Sequence, residues 1–266
     1  MNQNNLDFLK NQIKYSGFGE TLEGILKEKL EKGDTEFKIG HEVTFGNDAL
    51  KVQMNFKKSD QTDMYFFNSY QVNLQKEGAN DAVEQTFYIN KDSNITIKEA
   101  YNLLEGRAVN KDLKTKEGEA YNAWIVFDFK ISDERGNFKM NHYHQNYGYD
   151  LEAVLSKYPI KELEHPDYKE NLLASLKKGN VQSATFTIEG VDKKQFIEAN
   201  PQFKTIKIYD DRMQRVSNRE SKQEKEGQGE GKTTAKEQKQ DQGDDSDTSG
   251  SSRQTNKKMK SKSQSM

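Results

Sequence analysis

Apolar residues recur at helical spacing in the first thirty residues of the chain. They form two sets, one at Leu6, Leu9 and Ile13 and one at Leu22, Ile25, Leu26 and Leu30. Gly17-Phe18-Gly19 interrupts the pattern between the sets, and Gly33 follows the second set as a helix stop. The pattern predicts two short helices that lie over a sheet as a hairpin or arm. An amphipathic arm that binds a partner is the alternative.

From residue 37 the period of the pattern changes to two, which is typical of strands with one buried face. Alternating apolar residues occupy 37–45 and 50–56, and the turn Gly46-Asn47-Asp48 separates them. A second pair of alternating runs, 65–74 and 83–89, flanks a Gly-Ala-Asn-Asp turn. Four strands joined in this way predict an antiparallel meander with helices on one face.

A helix, a glycine stop and three strands then occur twice in the same order. In the first copy, Thr96-Ile97-Lys98-Glu99 fits a capping box and the helix ends at Gly106. In the second copy, Asp150 is placed to cap a short helix and a further helix ends at Gly179. The strands are predicted at 109–113, 121–129, 138–144, 181–188, 195–198 and 203–209. The order and spacing suggest a duplication, although the two copies share little identity.

The apolar pattern ends at Tyr209, after which the chain contains no aromatic residue. Too little apolar surface remains there to offset the entropy of ordering the backbone, about 1–2 kcal/mol per residue. We therefore predict an α+β fold, with antiparallel hairpin-rich sheets, amphipathic helices on one face and a disordered C-terminal tail. The predicted division is a unit of two helices and the meander at 1–91, repeated helix and three-strand units at 92–210, and the polar tail at 211–266.

Composition narrows the classes of function. The chain has no cysteine, which excludes disulfides, thiolate nucleophiles and cysteine-ligated zinc. Its first residues lack the basic start and apolar run of a secretory signal, and no apolar run reaches about eighteen residues, so we expect a cytoplasmic protein without membrane contact. The net charge is −2, and residues 211–266 contain thirteen Lys and Arg against ten Asp and Glu. The folded part is therefore mildly acidic, which argues against sequence-specific nucleic-acid recognition by that part.

Two histidines on one predicted strand are the nearest approach to a catalytic or metal site. His142 and His144 lie two residues apart, so their imidazoles project from the same strand face and could share a metal. A metal site needs a third and usually a fourth ligand, and the sequence offers only His41, His165 and scattered carboxylates. The alternative is an ordinary solvent-exposed strand face. No cofactor is predicted.

Aromatic residues support two further interpretations. Trp124, the only tryptophan, lies in a strand whose alternating sets are both apolar, which predicts burial on both faces and a core role for the indole. Tyr65, Phe66, Phe67 and Tyr70 have the shape to stack nucleobases. Their segment lacks interleaved Arg and Lys, however, and packing against a helix explains them equally well.

The end of the predicted tail is basic. Its five cations are Arg253, Lys257, Lys258, Lys260 and Lys262. Because Met259 is the one apolar residue among them, they are predicted to contact nucleic-acid phosphates without sequence specificity. A solvated, solubilising tail is the alternative, and Asp244, Asp245 and Asp247 would partly screen the attraction.

Four stretches carry a resemblance to a known family. They read ITIKEAYNLLEGRAVNKDL at 95–113 with GEAYNAW at 118–124, DQTDMYFFN at 60–68 and FIEANPQFKTI at 196–206. Over roughly residues 1–215 the chain resembles an uncharacterised protein family carried by Bacteroidetes conjugative transposons and related mobile elements. The resemblance implies a bacterial cytoplasmic protein linked to element maintenance or transfer, in the neighbourhood of DNA-processing enzymes. The family has no assigned activity or functional residues to carry over.

Repeated hairpins, a polar tail and the lack of catalytic motifs favour a non-catalytic binding or adaptor protein with an unknown protein partner. The resemblance adds that it is encoded on a mobile genetic element. The first alternative is a nucleic-acid-associated accessory factor that uses the basic end of the tail. The second is a metal-dependent enzyme built on His142 and His144. The sequence identifies neither the partner nor the oligomeric state.

Overall fold

The computed structural model describes residues 2–79, 81–90, 93–115 and 117–217. The five cations proposed to contact nucleic acid lie outside the described residues; they are Arg253, Lys257, Lys258, Lys260 and Lys262. Among the described residues, no helix combines the length and the apolar character needed to cross a membrane.

The two helices predicted at the N-terminus are confirmed. α1 spans Gln3–Ile13 and α2 spans Glu23–Lys32. The side chain of Asn2 caps α1 by accepting a hydrogen bond from a backbone N–H of the first turn. A single wide helical turn, Lys14–Phe18, leads from α1 towards α2. The leucines of both helices belong to the same apolar cluster as the first sheet, so the helices lie on that sheet as predicted.

The first sheet is the predicted antiparallel meander. Its strands are β1 (Glu36–Phe45), β2 (Asp48–Lys58), β3 (Tyr65–Gln75) and β4 (Val83–Tyr88). They lie in the order β1-β2-β3-β4, and every neighbouring pair is antiparallel. At the β4 edge, Asn137 Oδ1 accepts the Thr86 N–H at 2.8 Å, and Gln85 Oε1 accepts the Phe138 N–H at 2.8 Å. Residues 137 and 138, which lead into a strand of the second sheet, thus cover the edge strand β4.

The middle sheet follows a capped helix. α3 spans Ile97–Leu104, and its capping box is confirmed, since Thr96 Oγ1 accepts the Glu99 N–H and the Glu99 carboxylate accepts the Thr96 N–H. Three antiparallel strands follow in the order β5-β6-β7. They are β5 (Val109–Lys114), β6 (Ala120–Ser132) and β7 (Phe138–His144).

Two further helices pack with the third sheet. α4 spans Leu151–Leu155 and is capped by Asp150 as predicted, and α5 spans Pro166–Lys177. The sheet has the antiparallel order β11-β10-β9-β8. Its strands are β8 (Gln182–Ile188), β9 (Val191–Asn200), β10 (Thr205–Tyr209) and β11 (Arg215–Val216).

The starts of two strands in the third sheet differ from the prediction by two residues or more, and β9 also ends at Asn200 rather than residue 198. β9 begins at Val191 rather than residue 195, because residues 191–194 pair with β8 although all four are exposed and show no apolar alternation. β10 begins at Thr205 rather than residue 203, because a 3₁₀ turn, Pro201–Phe203, precedes it.

The described chain continues past residue 211, where the disordered tail is predicted to start. Within residues 211–217, β11 pairs with β10. The Asp210 carboxylate holds the connecting turn by accepting the backbone N–H groups of Arg212 and Gln214 at 2.9 and 2.8 Å. A side-chain-to-backbone turn of this kind orders a segment that has little apolar surface of its own.

The middle of β6, residues 123–127, is largely buried on both faces, as predicted, whereas Phe129 is exposed. Ile125 and Phe127 join the apolar cluster formed by α1–α3 and the first sheet. Trp124, with 6% of its surface exposed, joins the second cluster, which contains α4, α5 and the third sheet. The middle sheet is therefore a wall shared by two apolar cores, and the first core includes residues on both sides of residue 91. Helices and antiparallel sheets in this arrangement confirm the α+β class.

Candidate anion-binding site

The structure brings together the two histidines that were considered as metal ligands. The rings of His142 and His144 have centroids 6.2 Å apart, and both side chains are exposed. The His144 ring contacts the Tyr121 ring at 5.0 Å. In the part of the chain that the structure describes, no group of three or more His, Asp or Glu residues is arranged to hold a metal ion. The pKa of His142 lies below its ordinary value because the site is partly desolvated and His144 is close.

The aromatic residues considered for base stacking are mostly core residues. Tyr65, Phe67 and Tyr70 are buried in the first core, and only Phe66 is exposed, by 45%. The Asn5 side chain fixes Tyr65 by pairing with both its backbone N–H and its carbonyl, at 2.7 and 2.9 Å. Packing against a helix therefore explains the segment, and three of the four rings have no face left for a base.

The most distinctive polar site is an open cleft of about 380 Å³ where three segments meet. The segments are the β1–β2 turn, α3 with the residues after it, and the loop between α5 and β8. The lining residues that carry its chemistry are Phe45, Lys98, Tyr101, Asn102, Arg107 and Asn180. We call this the α3 cleft.

Lys98 stands over two aromatic rings in the α3 cleft. The rings of Phe45 and Tyr101 stack with centroids 4.8 Å apart. The Lys98 ammonium lies 4.3 Å from the Phe45 centroid and 4.7 Å from the Tyr101 centroid, which is cation–π distance. Within the described residues, no carboxylate lies within ion-pair distance of Lys98, although the side chain is exposed. Its charge is therefore stabilised by ring faces and remains open to an anion.

Arg107 approaches the same tyrosine. Its Cζ lies 5.0 Å from the Tyr101 centroid, and only 14% of the side chain is exposed. Nη2 donates to Asn102 Oδ1 at 2.8 Å, and Nη1 lies 3.8 Å from Glu105 Oε2. Nε is buried and has no acceptor among the described residues. The guanidinium is thus held in place while one of its N–H donors remains unpaired.

Asn102 joins the two sides of the cleft. Its Nδ2 donates to the Lys178 carbonyl at 2.7 Å and to Asn180 Oδ1 at 2.9 Å. Asn180 in turn donates to Ser175 Oγ at 3.0 Å, so the loop after α5 is fixed to that helix as well. The Asn102 side chain therefore fixes the loop after α5 and also accepts a hydrogen bond from Arg107.

Burial and neighbouring charges shift the pKa values of the groups around Tyr101. The pKa of Lys98 is lowered by partial burial and then by the charge of Arg107. The pKa of Tyr101 is raised by burial and then by its hydrogen bond to Asp48, whose Oδ2 accepts the hydroxyl at 2.9 Å. Glu105 is engaged by Lys76, with 2.7 Å between Oε1 and Nζ. Arg107 shares the Glu105 carboxylate with Lys76, so Lys98 is the cation of the cleft that has no carboxylate partner among the described residues, and it can attract an anion.

Sequence analysis did not identify Lys98 or Arg107 as site residues. The capping box located Lys98 in the first turn of α3, but its ring partner Phe45 lies at the end of β1, distant in the sequence. No local pattern marks Arg107, because its role depends on contacts with Tyr101 and Asn102 that only the fold creates. No family model matches the chain, and comparisons with curated proteins and with solved structures give no match either.

Proposed function

We propose that the protein is a non-catalytic binding protein that recognises an anionic group of its partner in the α3 cleft. The observation that carries the proposal is the exposed Lys98 ammonium, which has ring contacts and no carboxylate partner among the described residues, beside the fixed guanidinium of Arg107. An exposed cation of this kind attracts an anion.

The Lys98 ammonium supplies the driving force. It has no carboxylate partner among the described residues, so an anion would accept a charge-assisted hydrogen bond from it. Asn102 holds the neighbouring guanidinium in one orientation, so little further order is lost when an anion binds beside it.

The other polar groups of the cleft are suited to recognition. The Tyr101 hydroxyl donates to Asp48, and its raised pKa keeps it protonated at neutral pH. Asn102 and Asn180 are bound to each other. Groups fixed in this way present a rigid surface, which favours the binding hypothesis over proton-transfer chemistry. The mobile-element setting that the resemblance implies stays a prediction, and it would make the partner a component of element maintenance or transfer.

The test places a photo-reactive amino acid at Gln182, on the rim of the α3 cleft. The full chain carrying it is expressed in the cells that naturally produce the protein. The matched control variant is Lys38→Gln, since Lys38 is an exposed lysine that contacts Gln53 on the first sheet. We expect a crosslinked product whose yield falls as the salt concentration rises. The product should form in Lys38→Gln and be lost in Lys98→Gln. A product of equal strength in Lys98→Gln, or no product in any variant, contradicts the proposal.

A further inference from the structure

We infer that β1 pairs with β1 of a second copy of the chain, antiparallel and with the two-fold axis at Gly40. The first sheets of the two copies then form one continuous sheet. The paired residues, 36–44, line no part of the α3 cleft, so this interface is separate from the proposed function.

The outer edge of β1 carries backbone groups without a partner. β1 is an edge strand of the first sheet, and β2 is its one neighbour in the described part of the chain. The Lys58 N–H donates to the Thr35 carbonyl at 2.8 Å, so these two residues form a hydrogen-bonded pair of the ladder. Because such pairs alternate along antiparallel strands, the odd-numbered residues of β1 bond to β2. The even-numbered residues from 36 to 44 therefore direct their N–H and C=O groups outward.

Two other edge strands are covered by their own chain. Residues 137 and 138 cover β4. β8 is covered by the segment before α5, where the Pro159 carbonyl accepts the Thr187 N–H at 2.9 Å. β1 has ten residues, and its register with β2 runs without a bulge. A long, regular edge of this kind is the surface to which a further strand adds.

The charges along β1 favour a second copy as that further strand. Lys38 and Glu42 lie two positions on either side of Gly40, and both are on the exposed face of the sheet. In an antiparallel pair with the axis at Gly40, Lys38 lies directly opposite Glu42 of the second copy, and the symmetry repeats this contact. Charged residues on an edge normally oppose pairing with other chains, but here each charge is compensated.

The same charges select the position of the axis. An axis at residue 38 would place two lysines opposite each other, and an axis at residue 42 would place two glutamates opposite each other. Like charges that lie directly opposite destabilise a strand pair. Among these three registers, the axis at Gly40 is the one that opposes lysine to glutamate.

Gly40 itself is not explained by its own chain. A glycine within a strand weakens the strand and often marks a place where another backbone approaches closely. The φ angle of Gly40 is not positive, and a Cβ at this position would meet nothing within 4 Å. Pairing about Gly40 accounts for the glycine, because the two backbones then meet at residues that have no side chain.

The decisive measurement uses the lack of cysteine in the chain. In a hydrogen-bonded antiparallel pair, opposed Cα atoms lie about 5.5 Å apart, within the range of about 4.4–6.8 Å found in disulfides. Purified full chain with Gly40→Cys should therefore form a disulfide-linked dimer on mild oxidation. The matched control is Gln53→Cys, on the same exposed face of β2 directly opposite Gly40. Three strand spacings, about 14 Å, would separate its two copies, so it should not crosslink.

Charge reversal tests the register. Sedimentation equilibrium of the unaltered full chain from about 1 µM to 1 mM should show a dimer. Lys38→Glu opposes glutamates at both contacts, and Glu42→Lys opposes lysines at both, so each variant alone should have a Kd about tenfold higher or more. An equimolar mixture of the two variants should regain the dimer, because every opposed pair is then a lysine with a glutamate.

Each result supports or overturns the second copy as the partner of β1. A monomer over the whole concentration range overturns it. A dimer in which Gly40→Cys fails to crosslink also overturns it, since another surface then joins the copies. A mixture that associates no more tightly than the separate variants overturns the axis at Gly40. Thermal unfolding of each variant, expected to match that of the unaltered chain below Kd, shows that a lost dimer is not a lost fold.

Discussion

Gly179 is the residue whose substitution tests the junction beside the α3 cleft most directly. It follows α5 with φ +80°, in the left-handed region that residues with a Cβ rarely adopt. A Cβ built at this position would lie 2.9 Å from the Ala108 carbonyl oxygen, 2.9 Å from Val109 Cγ2 and 3.0 Å from Asn102 Cβ. Gly179→Ala therefore forces α5 and its loop away from α3 and β5.

The free energy of unfolding should fall for two separable reasons. The left-handed backbone costs an alanine about 1–2 kcal/mol. The overlap with neighbouring atoms costs about a further 1–3 kcal/mol, as overpacking does elsewhere. Two of the three neighbours are backbone or Cβ atoms, which cannot turn aside as a long side chain can. We expect a total loss of roughly 2–5 kcal/mol.

Gly33 provides the matched control. It ends α2 with φ +75°, and nothing lies within 4 Å of the Cβ that an alanine would add. Gly33→Ala should therefore cost only the backbone part, about 1–2 kcal/mol. Urea unfolding followed by circular dichroism measures both variants, and the difference isolates the steric part. Equal losses in the two variants would refute the close approach of α5 to α3.

Substitutions at three further positions test other parts of the fold. Trp124→Ala should lower the free energy of unfolding by about 3–5 kcal/mol in urea titrations, because it empties part of the second core, and a loss below about 1 kcal/mol would contradict a buried indole. Thr96→Ala should lower the free energy of unfolding by about 0.5–2 kcal/mol, because the Glu99 N–H loses its cap. Thr96→Ser should retain most of that stability. A serine variant as unstable as the alanine variant would exclude the capping role. The lowered pKa of His142 means that the unfolded chain binds its proton more readily, so stability should fall as pH drops below about 6.5. His142→Gln should flatten that part of the stability curve, and an unchanged pH dependence would rule out this source.

The features that sequence analysis located correctly are those that a short segment decides for itself. The helices of the first core follow from leucine spacing, and the meander follows from period-two alternation with glycine turns. The capping box at Thr96 and the cap at Asp150 depend on residues three positions apart. In each of these cases the partners of an interaction are neighbours in the chain.

The features that sequence analysis missed depend on partners that are not local. Residues 191–194 are exposed and without alternation, and they form a strand only because β8 offers them backbone partners. β11 has two residues, and the Asp210 turn brings it to β10. Pattern-based analysis weighs burial within a segment, so it fails where pairing or a side-chain hydrogen bond does the ordering.

The α3 cleft was beyond prediction for the same reason. The cleft residues Phe45, Lys98 and Asn180 lie in three separate segments. More than fifty residues separate each of them from the next along the chain. Each residue has an ordinary local role, in a strand, on a helix surface and in a loop. The chemistry arises only when the fold brings one cation over two rings and leaves a second cation with a buried, unpaired donor.

The position of the cleft also determines what a bound anion would do to the whole fold. Ala108 belongs to the second core and Val109 to the first, so the chain crosses from one core to the other directly beside Gly179. Asn102 hydrogen-bonds across this seam, from α3 to the loop after α5. A ligand that binds only when both sides are in place stabilises the folded state of both cores together, because binding adds free energy to the folded state alone. Anion binding should therefore raise the unfolding temperature of the two cores in one transition, even though the two rings of the cleft, Tyr101 and Phe45, pack with the first apolar cluster alone.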